Sequence, residues 1–286
     1  MKPWAPHLRL AVLAVLASLS ATPVFAQGDT TREITNIAGD LYRFQHNFHY
    51  SVFLVTLNGI IATDPITPDA ARWLKSELAS RFKQPVKYVI YSHHHADHVS
   101  GGDVFADTAI FVGHENMVAA AAEQGAAEVR APDIVYSDTM KVTLGGKTVE
   151  LHYVGKNHSD NMTVVRFPDE KTVFTVDFVS ANRLPYRTLG DTYYPDLITS
   201  IKAVEAMDFE IVAPGHGALG TREDMKNHRQ YHEDLTSAVQ AQIDAGKTVE
   251  DAKAAIKLDK YKDWGSYDAW LGENVEGAFR ILSGGS

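Results

Sequence analysis

The spacing of apolar and polar positions predicts a chain that opens with short antiparallel strands and then alternates helices with strands. Three β-rich runs separated by turn residues come first, at residues 41–45, 50–57 and 59–64. A helix is predicted from Pro68 to just before Pro85, because apolar residues recur on one face with helical spacing. The apolar run 86–91 follows and predicts a strand covered by this helix.

The second part of the chain repeats this order of strands, helix, strands and helix. The predicted elements are a strand at 109–112, a helix at 116–124, hairpins at 140–154 and 162–179, a helix at 196–207, a strand at 210–213 and a mainly helical stretch from 221 to about 256. Gly145-Gly146 and Pro168-Asp169 mark the hairpin turns. Because no linker rich in proline, glycine or serine separates the halves, we expect one α/β domain built of two similar layers.

The first 26 residues have the pattern of a secretory signal peptide. Lys2 and Arg9 precede an apolar run from Leu10 to Leu19, and Val24-Phe25-Ala26 ends the segment with a small-residue cleavage pattern. This run is shorter than the roughly 20 residues that a membrane-spanning helix needs, which favours cleavage over an anchor. We therefore expect residues 27–286 to form a periplasmic or secreted protein without a membrane span, with a helical C-terminal segment at about 221–286.

Composition places the chain among folded globular proteins and limits its chemistry. The 286 residues are 45% hydrophobic and 22% charged, which is enough apolar material for a substantial core. There is no cysteine, so disulfides, thiolate metal ligands and cysteine nucleophiles are excluded. With 27 basic against 36 acidic residues and no clustered basic stripe, the sequence argues against nucleic acid as a partner. Any metal must be held by His, Asp or Glu.

Four histidines and one aspartate lie within six consecutive positions, directly after a predicted strand. In an extended or tightly turning segment, His93 and His95 project to the same side and can bind one ion. Asp97 and His98 lie where the chain turns and can reach a second ion. His94 points away from its neighbours, so we do not expect it to be a ligand.

The order His93-x-His95-x-Asp97-His98 resembles the signature of the metallo-β-lactamase-fold hydrolases. The later pieces of that pattern follow in order: His158 after a glycine-containing loop, Asp177 at the end of an apolar strand, and His216 in a Pro-Gly-His-Gly turn. The resemblance covers essentially all of the chain after the signal peptide. It implies a four-layer αββα sandwich, in which two mixed sheets carry helices on their outer faces.

The resemblance also implies what these residues do. Two Zn²⁺ ions per chain would be held by seven residues: His93, His95, His158, Asp97, His98, Asp177 and His216. Asp177 would bridge the ions, and Asp64 stands where the family has an aspartate that accepts a hydrogen bond from the histidine loop. A hydroxide between the ions would attack a carbonyl bond, and Asp97 would orient that hydroxide.

The resemblance indicates the type of reaction more narrowly than it indicates the substrate. The family opens β-lactams, lactones, thioesters and phosphodiesters with the same hydroxide. The lack of cysteine excludes the β-lactamases that use a cysteine ligand, and Asp177 with His98 is closer to the thioesterase and lactonase arrangement. Arg183, Tyr186 and Arg187 follow Asp177 and are candidates for binding a substrate carboxylate or oxyanion, against the alternative of an ordinary surface loop.

Functions other than hydrolysis of a carbonyl bond are also compatible with the sequence. The same fold can hold iron, and an iron-dependent persulfide-type oxidoreductase is compatible with this histidine pattern, whereas the di-iron members have a carboxylate where this chain has His95. A phosphodiesterase is a further alternative. A secreted metal-binding protein without turnover would not need Asp97. The expected partner is a small-molecule substrate, and the sequence indicates no oligomeric state.

The remaining histidines and aromatic residues are interpreted as structural. His46, His49, His114 and His152 lie on or beside strands without ligand spacing. His228 and His232 are four residues apart on a predicted helix, and their charged neighbours favour a solvated face over a zinc site. Trp264, Tyr267 and Trp270 are expected to pack in the core or dock the C-terminal segment.

Overall fold

The computed structural model describes Met1 and residues 30–123, 129–194 and 196–285. Apart from Met1, the predicted signal peptide lies outside the described residues. Residues 31–286 form one compact unit. Within the described ranges, no helix has both the length and the apolar character needed to cross a bilayer.

The first sheet is mixed and has its strands in sequence order. It contains β1 (Arg32–Ala38), β2 (Leu41–His46), β3 (His49–Thr56), β4 (Gly59–Thr63), β5 (Val86–Ile90), β6 (Ile110–His114) and β7 (Ile134–Tyr136). Strands β1 to β4 pair antiparallel, and β4 to β7 pair parallel. The antiparallel opening was predicted, but β1 and β7 were not, because both are short of alternating apolar residues and are largely exposed.

The second sheet is also mixed and has the strand order β13-β12-β11-β10-β9-β8. Its strands are β8 (Thr139–Leu144), β9 (Lys147–Tyr153), β10 (Thr163–Phe167), β11 (Thr172–Val176), β12 (Ile211–Pro214) and β13 (Gly220–Thr221). Only β11 and β12 are parallel neighbours. The predicted turn at Gly145-Gly146 is observed, and both glycines have the positive φ that a tight two-residue turn requires.

Helices cover the outer faces of both sheets, which confirms the predicted arrangement. They are α1 (Pro68–Arg81), α2 (Ala96–Val99), α3 (Glu115–Glu123), α4 (Asp196–Glu205), α5 (Arg222–Asp244), α6 (Val249–Ala255) and α7 (Tyr267–Leu282). Neighbouring residues of one strand face opposite layers: Leu54 packs between the sheets, and Phe53 packs under α1. This alternation gives the first sheet two buried faces.

The C-terminal helices α5, α6 and α7 share a separate apolar core with the loop 182–190. Asn274 on α7 is fully buried and fixes this loop, because its amide donates hydrogen bonds to the carbonyls of Pro185 (3.0 Å) and Arg187 (2.6 Å). The hydroxyl of Tyr231 donates to the Asn274 side-chain oxygen at 2.6 Å. Trp264, Tyr267 and Trp270 pack against the same core, as predicted for docking residues.

We expect Asn274→Ala to lower the thermal unfolding midpoint by several degrees. The change leaves a buried hydroxyl and two carbonyls without partners, and each such group costs about 1–3 kcal/mol. Thermal unfolding followed by circular dichroism measures the effect. Glu276→Ala on the exposed side of α7 is the control, because it removes only a surface ion pair with Lys253. Equal midpoints for the two variants would contradict this role of Asn274.

Candidate metal centre

The candidate site lies where strands of both sheets end. Asp64 directly follows β4, the segment His93–His98 follows β5, Asp177 follows β11, and the turn with His216 follows β12. In each sheet these are parallel neighbours, so their carboxyl ends meet at one edge. His158 lies in the connection between β9 and β10, which reaches the same edge because β10 runs antiparallel to β11.

The first group of donor atoms consists of His93, His95, His158 and Asp177. These atoms all lie within 4.8 Å of one another. His158 Nε2 is 3.0 Å from His95 Nδ1 and 3.5 Å from Asp177 Oδ2, and His93 Nε2 is 3.7 Å from the same oxygen. Three imidazoles and one carboxylate at such separations match the donor set of a tetrahedral zinc site.

The second group of donor atoms consists of His98, Asp177 and His216. Asp177 lies 3.1 Å from His98 Nε2 through Oδ2 and 3.4 Å from His216 Nε2 through Oδ1. Asp97 Oδ2 lies near the same two imidazoles, at 3.8 and 3.9 Å. All seven residues predicted as ligands are therefore brought together, and Asp177 belongs to both groups.

Several of these atoms are buried without a hydrogen-bond partner in the described structure. They are His93 Nε2, His98 Nε2 and Asp177 Oδ1. Buried polar atoms are nearly always paired, because an unpaired one costs about 1–3 kcal/mol. Donor atoms that converge in this way fit bound metal ions, for which N and O donors of His and Asp are suitable ligands.

The other ring nitrogen of three histidines is held by the protein. His93 Nδ1 lies 2.9 Å from Ser92 Oγ, His98 Nδ1 lies 3.1 Å from Asp64 Oδ2, and His216 Nδ1 lies 2.9 Å from the carbonyl oxygen of Phe48. Such partners orient a ring and leave Nε2 free for a metal. Asp64 is fully buried and also accepts a hydrogen bond from the Ser92 backbone at 2.8 Å, which is the supporting position predicted for it.

The charge states of the first group suit ligands. Burial lowers the pKa of His93 well below its usual value, and burial together with His158 lowers the pKa of His95 to about 4. Burial also lowers the pKa of His158. These imidazoles are therefore neutral at pH 7, with a lone pair available for a metal.

The carboxylates of the centre are ionised. Burial works to raise the pKa of Asp177, but His98 and His216 outweigh it and hold the pKa well below the usual range. Burial likewise opposes ionisation of Asp97, yet the hydrogen bond with His49 and the nearby His98 lower its pKa to about 2. Both groups carry a negative charge at neutral pH.

The turn that carries His216 is fixed by close packing. Gly215 faces Asp177, and a Cβ at this position would lie 2.7 Å from Asp177 Oδ1, so only glycine fits. The buried guanidinium of Arg43 donates hydrogen bonds to the carbonyls of Pro214 (3.1 Å) and Gly217 (2.5 Å). This contact between β2 and the turn holds His216 against the first sheet.

A cavity of about 470 Å³ opens from the metal centre. The following residues are among those that line it: Phe48, His49, His95, Asp97, His158, Asp177, Phe178, Arg183, Tyr186, Leu189, His216, His228 and His232. Arg183 is half-buried, and its guanidinium lies 4.7 Å from the Trp270 ring centroid. Arg183 and Tyr186 are thus in place to contact a substrate.

Arg187, the third predicted substrate contact, does not line this cavity. Its backbone has a positive φ of 45°, and its guanidinium lies over the ring of Tyr186, 5.6 Å from the centroid. Its carbonyl accepts the hydrogen bond from Asn274. A contact between Arg187 and a substrate therefore stays a prediction.

Two interpretations of isolated histidines were wrong. His228 and His232 are only 2% and 1% exposed and face the cavity, so they do not form a solvated face. Their Nε2 atoms are 3.3 Å apart, and burial lowers the pKa of His228 to about 4. The charged neighbours misled the prediction because consecutive residues of a helix point to different sides, and Arg229, Glu233 and Asp234 are only partly buried. His49, interpreted as structural, lies 3.2 Å from Asp97.

His94 belongs to none of the donor groups found in the described ranges. Its backbone N–H donates to the side-chain oxygen of Asn161 at 3.1 Å, and its ring lies against the same amide. This agrees with the prediction that it points away from the ligands.

Comparison with known proteins identifies the family. Residues 63–216 match the sequence profile of the Metallo-beta-lactamase superfamily. The match spans more than half of the chain and includes both donor groups. The chain therefore belongs to the Metallo-beta-lactamase superfamily and has the predicted fold.

Curated relatives have different reactions in their names. The chain is similar to the alpha subunit of 2,4-dinitroanisole O-demethylase from Nocardioides sp. (strain JS1661), with 29% identity over 164 residues, or 55% of this chain and 49% of the subunit. It is also similar to a Metallo-beta-lactamase type 2 from Bacillus cereus, with 28% identity over 173 residues, or 59% of this chain and 67% of that protein. The chain thus spans about half the length of the O-demethylase subunit.

Solved structures show the same fold at low identity. A Metallo-beta-lactamase from Pontibacter korlensis has a TM-score of 0.63 at 21% identity, with 71% of this chain and 99% of that chain covered. A double mutant of the sec-alkyl sulfatase PisA1 has a TM-score of 0.75 at 15% identity, with 88% and 50% covered.

We expect Asp64→Asn to weaken metal binding by about 10- to 100-fold, the usual loss when the partner of a ligating histidine is changed. If the amide oxygen keeps the bond from Ser92, the NH₂ group faces His98 Nδ1. His98 must then carry its proton on Nε2, the atom needed for the metal. Competition with a chelator measures the affinity. Asp69→Asn at the surface is the control, and equal affinities for the two variants would contradict the role of Asp64.

Proposed function

We propose that the chain is a binuclear zinc-dependent hydrolase that opens a carbonyl bond of a β-lactam, a lactone or a thioester. The observation that carries the proposal is Asp177, whose carboxylate lies within 3.7 Å of donor atoms from both histidine groups. A single carboxylate between two such groups is the arrangement of a two-metal site. The donors contain no sulfur, and imidazole with carboxylate suits zinc.

Bound zinc ions lower the pKa of a coordinated water to about 7 and polarise the bond to be broken. The chain's residues supply position and charge. Asp97 lines the cavity, is ionised and keeps about half of its side chain exposed, so it can accept a hydrogen bond from the nucleophile and orient it. Asp177 belongs to both donor groups and fixes their position relative to each other.

The cavity supports a substrate with both an apolar part and an anionic group. Phe48, Phe178 and Leu189 supply apolar walls. Arg183 lines the cavity with its guanidinium over the Trp270 ring, so it can bind a substrate carboxylate or an oxyanion. Tyr186 is 65% exposed beside it and can donate a hydrogen bond.

We further propose that the protein acts in the periplasm or outside the cell. The support is the N-terminal pattern of basic residues, apolar run and small-residue cleavage site in residues 1–26. N-terminal sequencing of the protein from an exporting host is the test, and a mature chain that begins with Gln27 is the expected result.

A hydrolysis panel tests the proposed bond class. The substrates are a β-lactam, an acyl-homoserine-type lactone, an acyl thioester and a phosphodiester. An aryl methyl ether is added because two relatives are named as subunits of an O-demethylase. Each arm is run with and without added Zn²⁺, beside elemental analysis of the purified protein. We expect about two zinc ions per chain and turnover of a carbonyl substrate. One iron per chain with oxygen uptake would favour the oxidoreductase instead.

We expect Asp97→Asn to lower turnover of the best substrate by about 10²- to 10⁴-fold, the range found when an acid-base group is removed. The amide keeps the size of the side chain but loses the charge that orients the nucleophile. Steady-state kinetics at saturating Zn²⁺ measures the effect. His94→Ala is the control and should stay within a small factor of the wild type, so equal losses in both variants would contradict the assignment.

A further inference from the structure

His49 lies beside the second donor group, although its position in the sequence shows no ligand spacing. Its Nε2 is 3.2 Å from Asp97 Oδ2, and its ring meets that of His216 edge-on with centroids 4.8 Å apart. Donor atoms of His49, Asp97 and His216 all lie within 4.8 Å of one another. One ion can therefore be reached by all three side chains.

With His49 included, each half of the centre contains three imidazole rings. Around the first position, the rings of His93, His95 and His158 form a triangle with sides of 4.4, 4.8 and 5.1 Å. Around the second position, the rings of His49, His98 and His216 form a triangle with sides of 4.8, 5.5 and 6.2 Å.

Two carboxylates also lie at the second position. Among the described residues, the ion-pair partners of Asp97 and Asp177 are histidines. No lysine or arginine of the described ranges lies within 4.0 Å of either carboxylate. No basic side chain other than histidine therefore competes with a divalent ion for these oxygen atoms.

We propose that His49 is a protein ligand of the second metal ion, which is then held by three imidazoles and two carboxylates. The inference rests on the proposed two-metal centre and adds a donor to it. The five donors are His49, Asp97, His98, Asp177 and His216.

The separations around the second position fit neighbouring and opposite donors of one ion. Bonds of about 2.1 Å place neighbouring donors about 3.0 Å apart and opposite donors about 4.2 Å apart. Among the carboxylate–imidazole pairs of this group that lie within 4.0 Å, the separations run from 3.1 to 3.9 Å, and His49 joins the group through Asp97 at 3.2 Å.

This donor set has a chemical consequence for the ion it takes. Five nitrogen and oxygen donors leave at most one position of an octahedral ion open to water or substrate. Such a site suits divalent ions that accept five or six ligands, such as Mn²⁺, Fe²⁺, Co²⁺ and a five-coordinate Zn²⁺. The first position offers three imidazoles and the shared Asp177, which would suit a tetrahedral ion.

The affinity of the protein for the second ion distinguishes two roles of His49: a metal ligand, or a residue that only forms a hydrogen bond with Asp97. His49→Gln keeps a group that can donate a hydrogen bond to Asp97 but removes the imidazole lone pair. We expect the second Zn²⁺ to bind at least tenfold more weakly in this variant, measured by chelator competition, while the first Zn²⁺ keeps its affinity. The first ion thus reports whether the fold is intact. His46→Gln is the matched control, because His46 pairs with His49 across the same hairpin but belongs to no donor group.

NMR spectroscopy of the Co²⁺-substituted protein counts the histidine ligands. Protons on each imidazole bound to Co²⁺ have strongly shifted NMR signals, so the wild type should show six such rings and His49→Gln five. Wild-type affinity for the second ion in His49→Gln, or an unchanged number of shifted rings, would overturn the proposal for His49. Neither measurement uses a substrate, so a negative hydrolysis panel leaves the test intact. A wild type that binds one ion only would overturn both proposals.

Discussion

The carboxylate of Asp177 is the constraint on which the site depends, because both histidine groups converge on it. Its position requires that strands from two different sheets end at the same edge and at the same depth. Val176 takes a positive φ of 53° as β11 ends, which turns the next residue toward the centre. Gly215 then leaves room for the carboxylate, since any side chain there would touch it. A shift of one sheet against the other would pull the members of each group apart, because both groups take residues from both sheets.

Keeping donor atoms unpaired in a buried site costs stability, and the surrounding contacts offset that cost. Asp64 and Ser92 fix the rings of His98 and His93 from behind, and Arg43 ties the turn of His216 to β2. The contact of Arg43 joins the two sheets at the centre, where apolar packing alone cannot orient polar rings. The protein therefore orients the rings of the centre and leaves their donor atoms available to metal ions.

Much of this site could be predicted from the sequence, because its ligands stand in short contiguous contexts. The histidine cluster directly follows a predicted strand, and His216 lies in a Pro-Gly-His-Gly turn. The neighbouring residues therefore indicate the local structure at both positions. His49 could not be found in this way, since its relation to Asp97 exists only after β3 has paired beside β4. The prediction for His228 and His232 failed for another reason. Charged neighbours indicate an exposed helix face only when that face is open to solvent, whereas α5 is covered by α4 and α7.

The metal centre and the wall of its cavity are built by different parts of the chain. The family profile ends at residue 216, with the last predicted ligand. The loop 182–190 carries Arg183 and Tyr186, but it is held in place from beyond that point, by Asn274 of α7 and by the apolar core of α5, α6 and α7. Gly277 packs directly on the backbone of Thr188, so the helix and the loop must change together. Substrate selection can therefore diverge through the C-terminal helices while the metal ligands stay in place.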